Sequence, residues 1–120
     1  MPPRERLRVA VAETNALVLC AIVRLLETID RIDVVSASAN PVPIAAKIDS
    51  LKPDLVMMDM DVAGLAEPFP GVRMILLTIH DGAELLEAAR RSSADAVLCK
   101  ARLNEELPLT IRRLFYLGDG

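Results

Sequence analysis

A chain of 120 residues with 52% hydrophobic content and a net charge of −3 is one domain's worth of sequence, with enough apolar material for a core that needs no disulfide or metal staple. There is no run of eighteen apolar residues, and the charged start MPPRERLRV passes straight into a strand-like segment, so neither a membrane span nor a signal peptide is expected and the expected compartment is the cytoplasm. The acidic balance, the lack of Trp and the sparse aromatics Phe69, Phe115 and Tyr116 exclude a basic footprint and a base-stacking platform, so this domain alone is not expected to bind nucleic acid.

Residues 7 to 12, LRVAVA, read as a buried strand leading into Glu13-Thr14-Asn15, where Thr14 or Asn15 can cap a helix. That helix, about Asn15 to Glu27, is apolar nearly all round. On a 3.6-residue wheel Val18, Ala21, Ile22 and Leu25 share a face suited to a sheet, while Ala16, Leu19, Cys20 and Val23 fall on another that needs a cover. Ile32 to Ala37 is a second strand, and Asn40-Pro41 opens a helix carrying Ile44, Ala45, Ile48 and Leu51. Lys52-Pro53-Asp54 ends it and feeds the apolar run Leu55 to Met58, a strand closing on Asp59. Met60 to Val72, with two glycines and two prolines, has no helical periodicity and reads as loop. Arg73 to Thr78 is a strand, Asp81 caps a helix with Leu85, Leu86 and Ala89 at helical spacing, and Ala96 to Cys99 is a last strand ending at Lys100. Asn104 is expected to cap a final helix with Leu107, Ile111, Leu114 and Phe115 as its stripe. Cys20 and Cys99 lack metal-ligand spacing and read as small buried hydrophobes.

Strands alternating with helices imply an α/β class with a parallel sheet and right-handed crossovers. For five strands the flavodoxin-like doubly wound order 2-1-3-4-5 fits, and it sets the first strand beside the third, hence Glu13 beside Asp59. Four apolar strands then end at one edge in Glu13, Asp59, Thr78 and Lys100. A carboxylate nucleophile, an acidic neighbour, a hydroxyl and an ammonium are the groups that phosphoryl transfer uses.

On ETNALV, MMDMDVAG, ILLTIHD and AVLCK the chain resembles a receiver domain of two-component response regulators, the CheY-like family, in the branch with helix-turn-helix output domains. The likeness covers residues 7 to 117. It implies a domain over residues 1–117, with 118–120 as the first residues of a linker. It also implies Asp59 as phosphoacceptor, Thr78 as switch hydroxyl and Lys100 as phosphate counter-ion. Glu13, Asp59 and the backbone carbonyl of Asp61 would form the metal site for Mg²⁺. A histidine kinase or other phosphodonor, and a second copy of the chain in a homodimer, are the implied partners, with association and not turnover as the output.

Several positions depart from that pattern. Thr14 replaces the second acid of the pair, a poorer ligand that weakens the expected Mg²⁺ affinity. Val97 stands where an aromatic switch residue is common, and Ile79 follows the hydroxyl where a small residue is expected. Asp59 and Thr78 are nineteen positions apart, about ten fewer than the family shows, almost three helical turns, so the third helix is expected to be missing or reduced. Apolar surface there would need Leu65, Phe69 or a partner to cover it. The hypothesised partner surface is Ala16, Leu19, Cys20 and Val23. Two alternatives remain at this stage. One is a phosphorylation-independent pseudo-receiver that binds a protein or small ligand. The other is a fragment resembling haloacid-dehalogenase-type phosphatases, whose first motif DMDVAG also matches but whose later strand-end acids are represented only by Glu105-Glu106.

Overall fold

The computed structural model describes the backbone of residues 6–40, 42–60 and 69–115, and the side chains of these except 42–45. Asp61, Leu65 and most of the connection expected to lack the third helix, as well as the linker residues 118–120, lie outside the described residues, as do the side chains of Ile44 and Ala45. Along the chain come β1 (Leu7–Ala12), α1 (Ala16–Thr28), β2 (Ile32–Ser38), α2 (Val42–Leu51), β3 (Leu55–Asp59), β4 (Arg73–Thr78), α3 (Gly82–Arg91), β5 (Ala96–Cys99) and α4 (Leu103–Phe115). The five strands form one sheet in the order β2-β1-β3-β4-β5, with every pairing parallel. This is the expected doubly wound order. A bulge between Val9 and Ala10 shifts the β1–β2 register.

Both faces of a parallel sheet must be covered, which is why its strands are near-continuous apolar runs. All five residues of β3 are buried. On one face Val9, Val11, Leu55, Met57, Ile75 and Leu77 pack with Ile22 and Leu26 of α1 and Leu103, Leu107 and Ile111 of α4. On the other, Ala10, Ala12, Val56, Met58, Met74 and Leu76 are covered by Ile48 of α2 and by Met60, Phe69 and Val72. Phe69, one of the alternative covers that the sequence offered, packs on this face.

Two aspartates fasten the lower edge of the sheet, each immediately before a strand. The Asp54 carboxylate accepts the backbone N–H of Arg8 at 2.9 Å, and Asp95 accepts that of Met74 at 2.8 Å. Each pins the start of a neighbouring strand, and the Arg8 guanidinium adds two bonds to the Leu51 carbonyl at 2.7 and 2.9 Å.

Helix α1 starts where Asn15 ends the β1 turn: its Oδ1 accepts from Leu17 N at 3.0 Å and Val18 N at 3.1 Å. These are N–H groups that a helix start otherwise leaves unpaired. Asn15→Ala is expected to cost about 1 kcal/mol, measured by urea denaturation, with Asn15→Asp close to wild type. The face of α1 turned to the sheet differs in part from the expected one. Val18, Ile22 and Leu25 pack on the core as expected, but Leu19, Leu26 and Ile29 pack there with them, while Ala21, expected inward, and Cys20, expected buried, are exposed. Leu19 thus packs on the core and leaves the hypothesised partner surface, and Val23 is half-buried.

The last two helices also depart in detail. In α3 Leu85 and Ala88 are half-buried, whereas Leu86 and Ala89, read as part of the stripe, are exposed. Asp81 caps it as expected, accepting from Gly82 N at 2.8 Å. Gly82 takes φ +58°, a left-handed entry that side chains disfavour. Asn104 does not cap α4. A 3-10 turn over Lys100–Arg102 starts the winding early, so Leu103 is the first residue of the helix and Asn104 lies in its first turn. Glu105 and Glu106 near its start and Arg112 and Arg113 in its last turn suit the helix dipole.

Candidate functional site

Parallel pairing sends every strand's carboxyl end to one rim. Ala12 lies opposite Met58 in the β1–β3 register, so the next residue of each strand, Glu13 and Asp59, meet side by side. Thr78 lies opposite Cys99, and one step further Lys100 turns back over the rim.

Lys100 closes the group. Its Nζ is 2.8 Å from Asp59 Oδ2 and 2.8 Å from Glu13 Oε1. It also lies 3.0 Å from Glu13 Oε2, the oxygen to which its hydrogen-bond geometry belongs; Oε1 makes charge contact without a hydrogen bond. Glu13 is fully buried, and Asp59 and Thr78 nearly so. The second oxygen of Glu13 also accepts from Asn15 N at 2.9 Å, which anchors the acid to the start of α1. Burial alone pulls the Lys100 ammonium down in pKa, but the hydrogen bonds to Asp59 and Glu13 and the charges of both outweigh it, and the net shift is upward. The charged form is the one this site holds.

Thr14 has a part that its replacement of an acid did not reveal. Its Oγ1 donates to Asp59 Oδ2 at 3.1 Å, the same oxygen that Lys100 contacts. Thr78 stands at the same rim, its hydroxyl accepting the His80 N–H at 3.1 Å, which leaves the hydroxyl proton for another acceptor. His80 lies at the surface, its Nδ1 2.6 Å from Glu84 Oε2.

A second contact, absent from the sequence reading, ties together the loops that follow Thr78 and Lys100. Arg102 donates through Nε and Nη2 to Asp81 Oδ2 at 3.0 and 2.8 Å. The Gly82 N–H and then Arg102 hold the Asp81 carboxyl below its ordinary pKa. A depressed carboxyl stabilises the fold above its unfolded pKa and loses that contribution as pH falls through the folded value; for an exposed pair the effect is small. In Arg102→Gln the Asp81 titration, followed by carboxyl NMR, is expected to move up while staying below the ordinary range, because Gly82 N–H remains.

The resemblance implies Mg²⁺ at this rim, and the donor set decides whether it fits. Hard divalent cations take six or more oxygens, with charge from carboxylates. Here the two carboxylates of Glu13 and Asp59 are already bridged by an ammonium, Thr14 adds a neutral hydroxyl, and among the described residues no three acid, His or Cys side chains are grouped to hold a metal. The described residues therefore do not fit a divalent cation. Beside the rim, Leu17, Val18 and Ala21 of α1 face Ala101 and Asn104 across an open groove of about 270 Å³, and Leu17 is 83% exposed.

A doubly wound sheet of this order, with an acid pair and a lysine at its rim, is an architecture shared with response-regulator receiver domains, which the chain resembles in sequence and in fold. Among its sequence relatives is the oxygen regulatory protein NreC of Staphylococcus aureus, 25% identical over 119 residues, which cover 91% of this chain and 55% of NreC. The chain thus spans about half the length of the relatives it matches. No protein-family profile matches it. Among solved structures, RcsB of Salmonella typhimurium superposes with a TM-score of 0.79 at 20% identity, over 92% of this chain and 60% of RcsB. The isolated REC domain of RcsB from Salmonella enterica serovar Typhimurium, with the phosphomimetic BeF3−, gives 0.76 at 20% identity, over 91% of this chain and 88% of that one. The response regulator domain of Thermotoga maritima CheB gives 0.70 at 18%, over 93% and 98%. No helix among the described residues is long and apolar enough to cross a membrane.

Proposed function

We propose that this chain is the receiver module of a cytoplasmic two-component response regulator, that Asp59 accepts its phosphoryl group, and that its output is association and not turnover. The observation that carries the reading is the Lys100 ammonium 2.8 Å from the Asp59 carboxylate, with Thr78 ending the next strand but one from β1. An Asp59 oxygen attacks the phosphorus of a histidine kinase or small-molecule donor and the donor leaves with the bonding pair. Lys100 then swings from carboxylate to phosphoryl oxygen, Thr78 donates its free proton to another, and Glu13 keeps the ammonium at the rim.

The exposed surface of α1 is the proposed contact for a kinase or a second copy. Ala16 and Cys20 remain in it, and Leu17 and Ala21 join them in place of Leu19 and Val23. Glu105 and Glu106 lie in the first turn of α4, away from the strand-end position that a haloacid-dehalogenase-type phosphatase needs, which favours the receiver over the enzyme. Incubation with acetyl phosphate or a phosphorylated kinase, followed by intact-mass measurement, is expected to add one phosphoryl group to the wild type and none to Asp59→Asn. Equal labelling of both would sink the assignment of Asp59. Leu17→Glu with Ala21→Glu is expected to abolish dimer formation by size exclusion without loss of fold.

The second reading is a module whose association is set by a protein partner or small ligand without phosphate. Thr14 favours it: a hydroxyl holds the acceptor where the family has a third acid. An unlabelled wild type that still dimerises would select it.

A further inference from the structure

We infer that the two rim acids are bridged from within, with Lys100 standing in for a divalent cation, and that Thr14 is the residue that keeps such a cation from binding, a step that rests on reading this rim as the phosphoacceptor centre. Glu13 is fully buried and Asp59 4% exposed. Two carboxylates so placed need a positive charge between them, since an uncompensated buried charge is costly. Lys100 supplies it at 2.8 Å from each, its side chain only 14% exposed. The three groups sum to a single negative charge. A cation entering here would have to displace an ammonium from two contacts it already makes, and among the described residues no third carboxylate is grouped there to receive it.

Thr14 completes the exclusion. An acid at this position would add a second net negative charge and an anionic oxygen beside Asp59. Thr14 instead brings a hydrogen-bond donor, and it gives its proton to Asp59 Oδ2. A group that donates to the acceptor carboxylate neutralises part of the charge that a cation would seek. The side chain is exposed, so a carboxylate fits at the position without repacking the core. In consequence the resting fold and its stability are indifferent to Mg²⁺.

The test uses Mg²⁺ alone, without phosphate, so a failure of Asp59 to accept a phosphoryl group leaves the outcome unaffected. Wild type, Thr14→Asp and Lys100→Gln are titrated with MgCl₂ by calorimetry, and their melting is compared in about 10 mM MgCl₂ and in EDTA at matched ionic strength. Wild type is expected to bind with no sub-millimolar dissociation constant and to melt at the same temperature in both. Thr14→Asp is expected to bind at least about tenfold more tightly and to melt higher with Mg²⁺. Lys100→Gln, which lacks the ammonium between the two acids, is expected to melt lower and to be partly rescued by Mg²⁺. Sub-millimolar binding by wild type, or no gain in Thr14→Asp, would overturn the inference. So would a folded Lys100→Gln that Mg²⁺ does not rescue.

Discussion

Lys100→Met is expected to destabilise the chain by about 3 kcal/mol near neutral pH, the low end of the range for breaking a buried ion pair. Methionine keeps the length of the side chain and its packing, so the loss isolates the charge. It leaves Glu13, with no exposed surface, against Asp59, two carboxylates sharing one site without the ammonium between them. The low end applies because Lys100 is partly open to water and because either acid can take a proton instead of staying charged. The pH dependence follows from the direction of the Lys100 shift. Its folded pKa is raised, so its contribution is in full below the unfolded pKa and is lost as pH rises through the folded one. Wild type therefore loses stability at strongly alkaline pH by a route that Lys100→Met lacks, and the gap between them narrows there. It narrows again in acid, where the variant's carboxylates protonate. Urea denaturation across that pH range reads both limbs; a difference below about 1 kcal/mol at neutral pH would mean that the ion triad contributes little.

Met57→Ala is the second large effect, expected at about 3 kcal/mol. Met57 lies in the middle of β3 with no exposed surface, in the cluster that includes Val11, Ile75, Leu77 and Leu107. Truncation loses the transfer free energy of the thioether and leaves a cavity between a sheet and two helices, both of which are fixed by other contacts and collapse only in part. Met74, 7% exposed on the opposite face, is the comparison: Met74→Ala is expected to cost less, because its neighbours include the half-buried Phe69, Val72 and Val97, which have room to shift. Equal losses at the two positions, measured by urea denaturation, would contradict this difference between the faces.

The sheet was legible because its strands are apolar on both faces and each is bounded by turn residues, so the pattern survives without any knowledge of neighbours. The rim was legible for a related reason: Glu13, Asp59, Thr78 and Lys100 are the first polar residues after apolar runs, and parallel pairing alone brings such residues to one edge. Helix α1 was legible only in part: Val18, Ile22 and Leu25 pack on the core as read, but a helix apolar nearly all round has no polar pole to orient it, and only packing brings in Leu19 and Leu26 and leaves Ala21 out. Thr14 was read as a lost ligand and not as a donor to Asp59, since that depends on a side-chain rotamer. The Arg102–Asp81 contact joins two loops and leaves no spacing signal. The fastening by Asp54 and Asp95 had one: each is the acid directly before a buried strand, in DLVMM and DAVLC. Asn104 misled because it has the residue type of a cap, whereas the 3-10 turn at Lys100 had already begun the winding.

Helix α3 has no fully buried side chain, only Leu85 and Ala88 half-covered, while β3 beneath the rim is buried throughout. Opening free energies within one domain range from almost nothing to the global value, and such a helix belongs near the bottom of that scale. Its amides are expected to exchange with deuterium first and those of β3 last. A module built this way can change what it shows to a neighbour by melting one peripheral segment, with its β-scaffold unmoved.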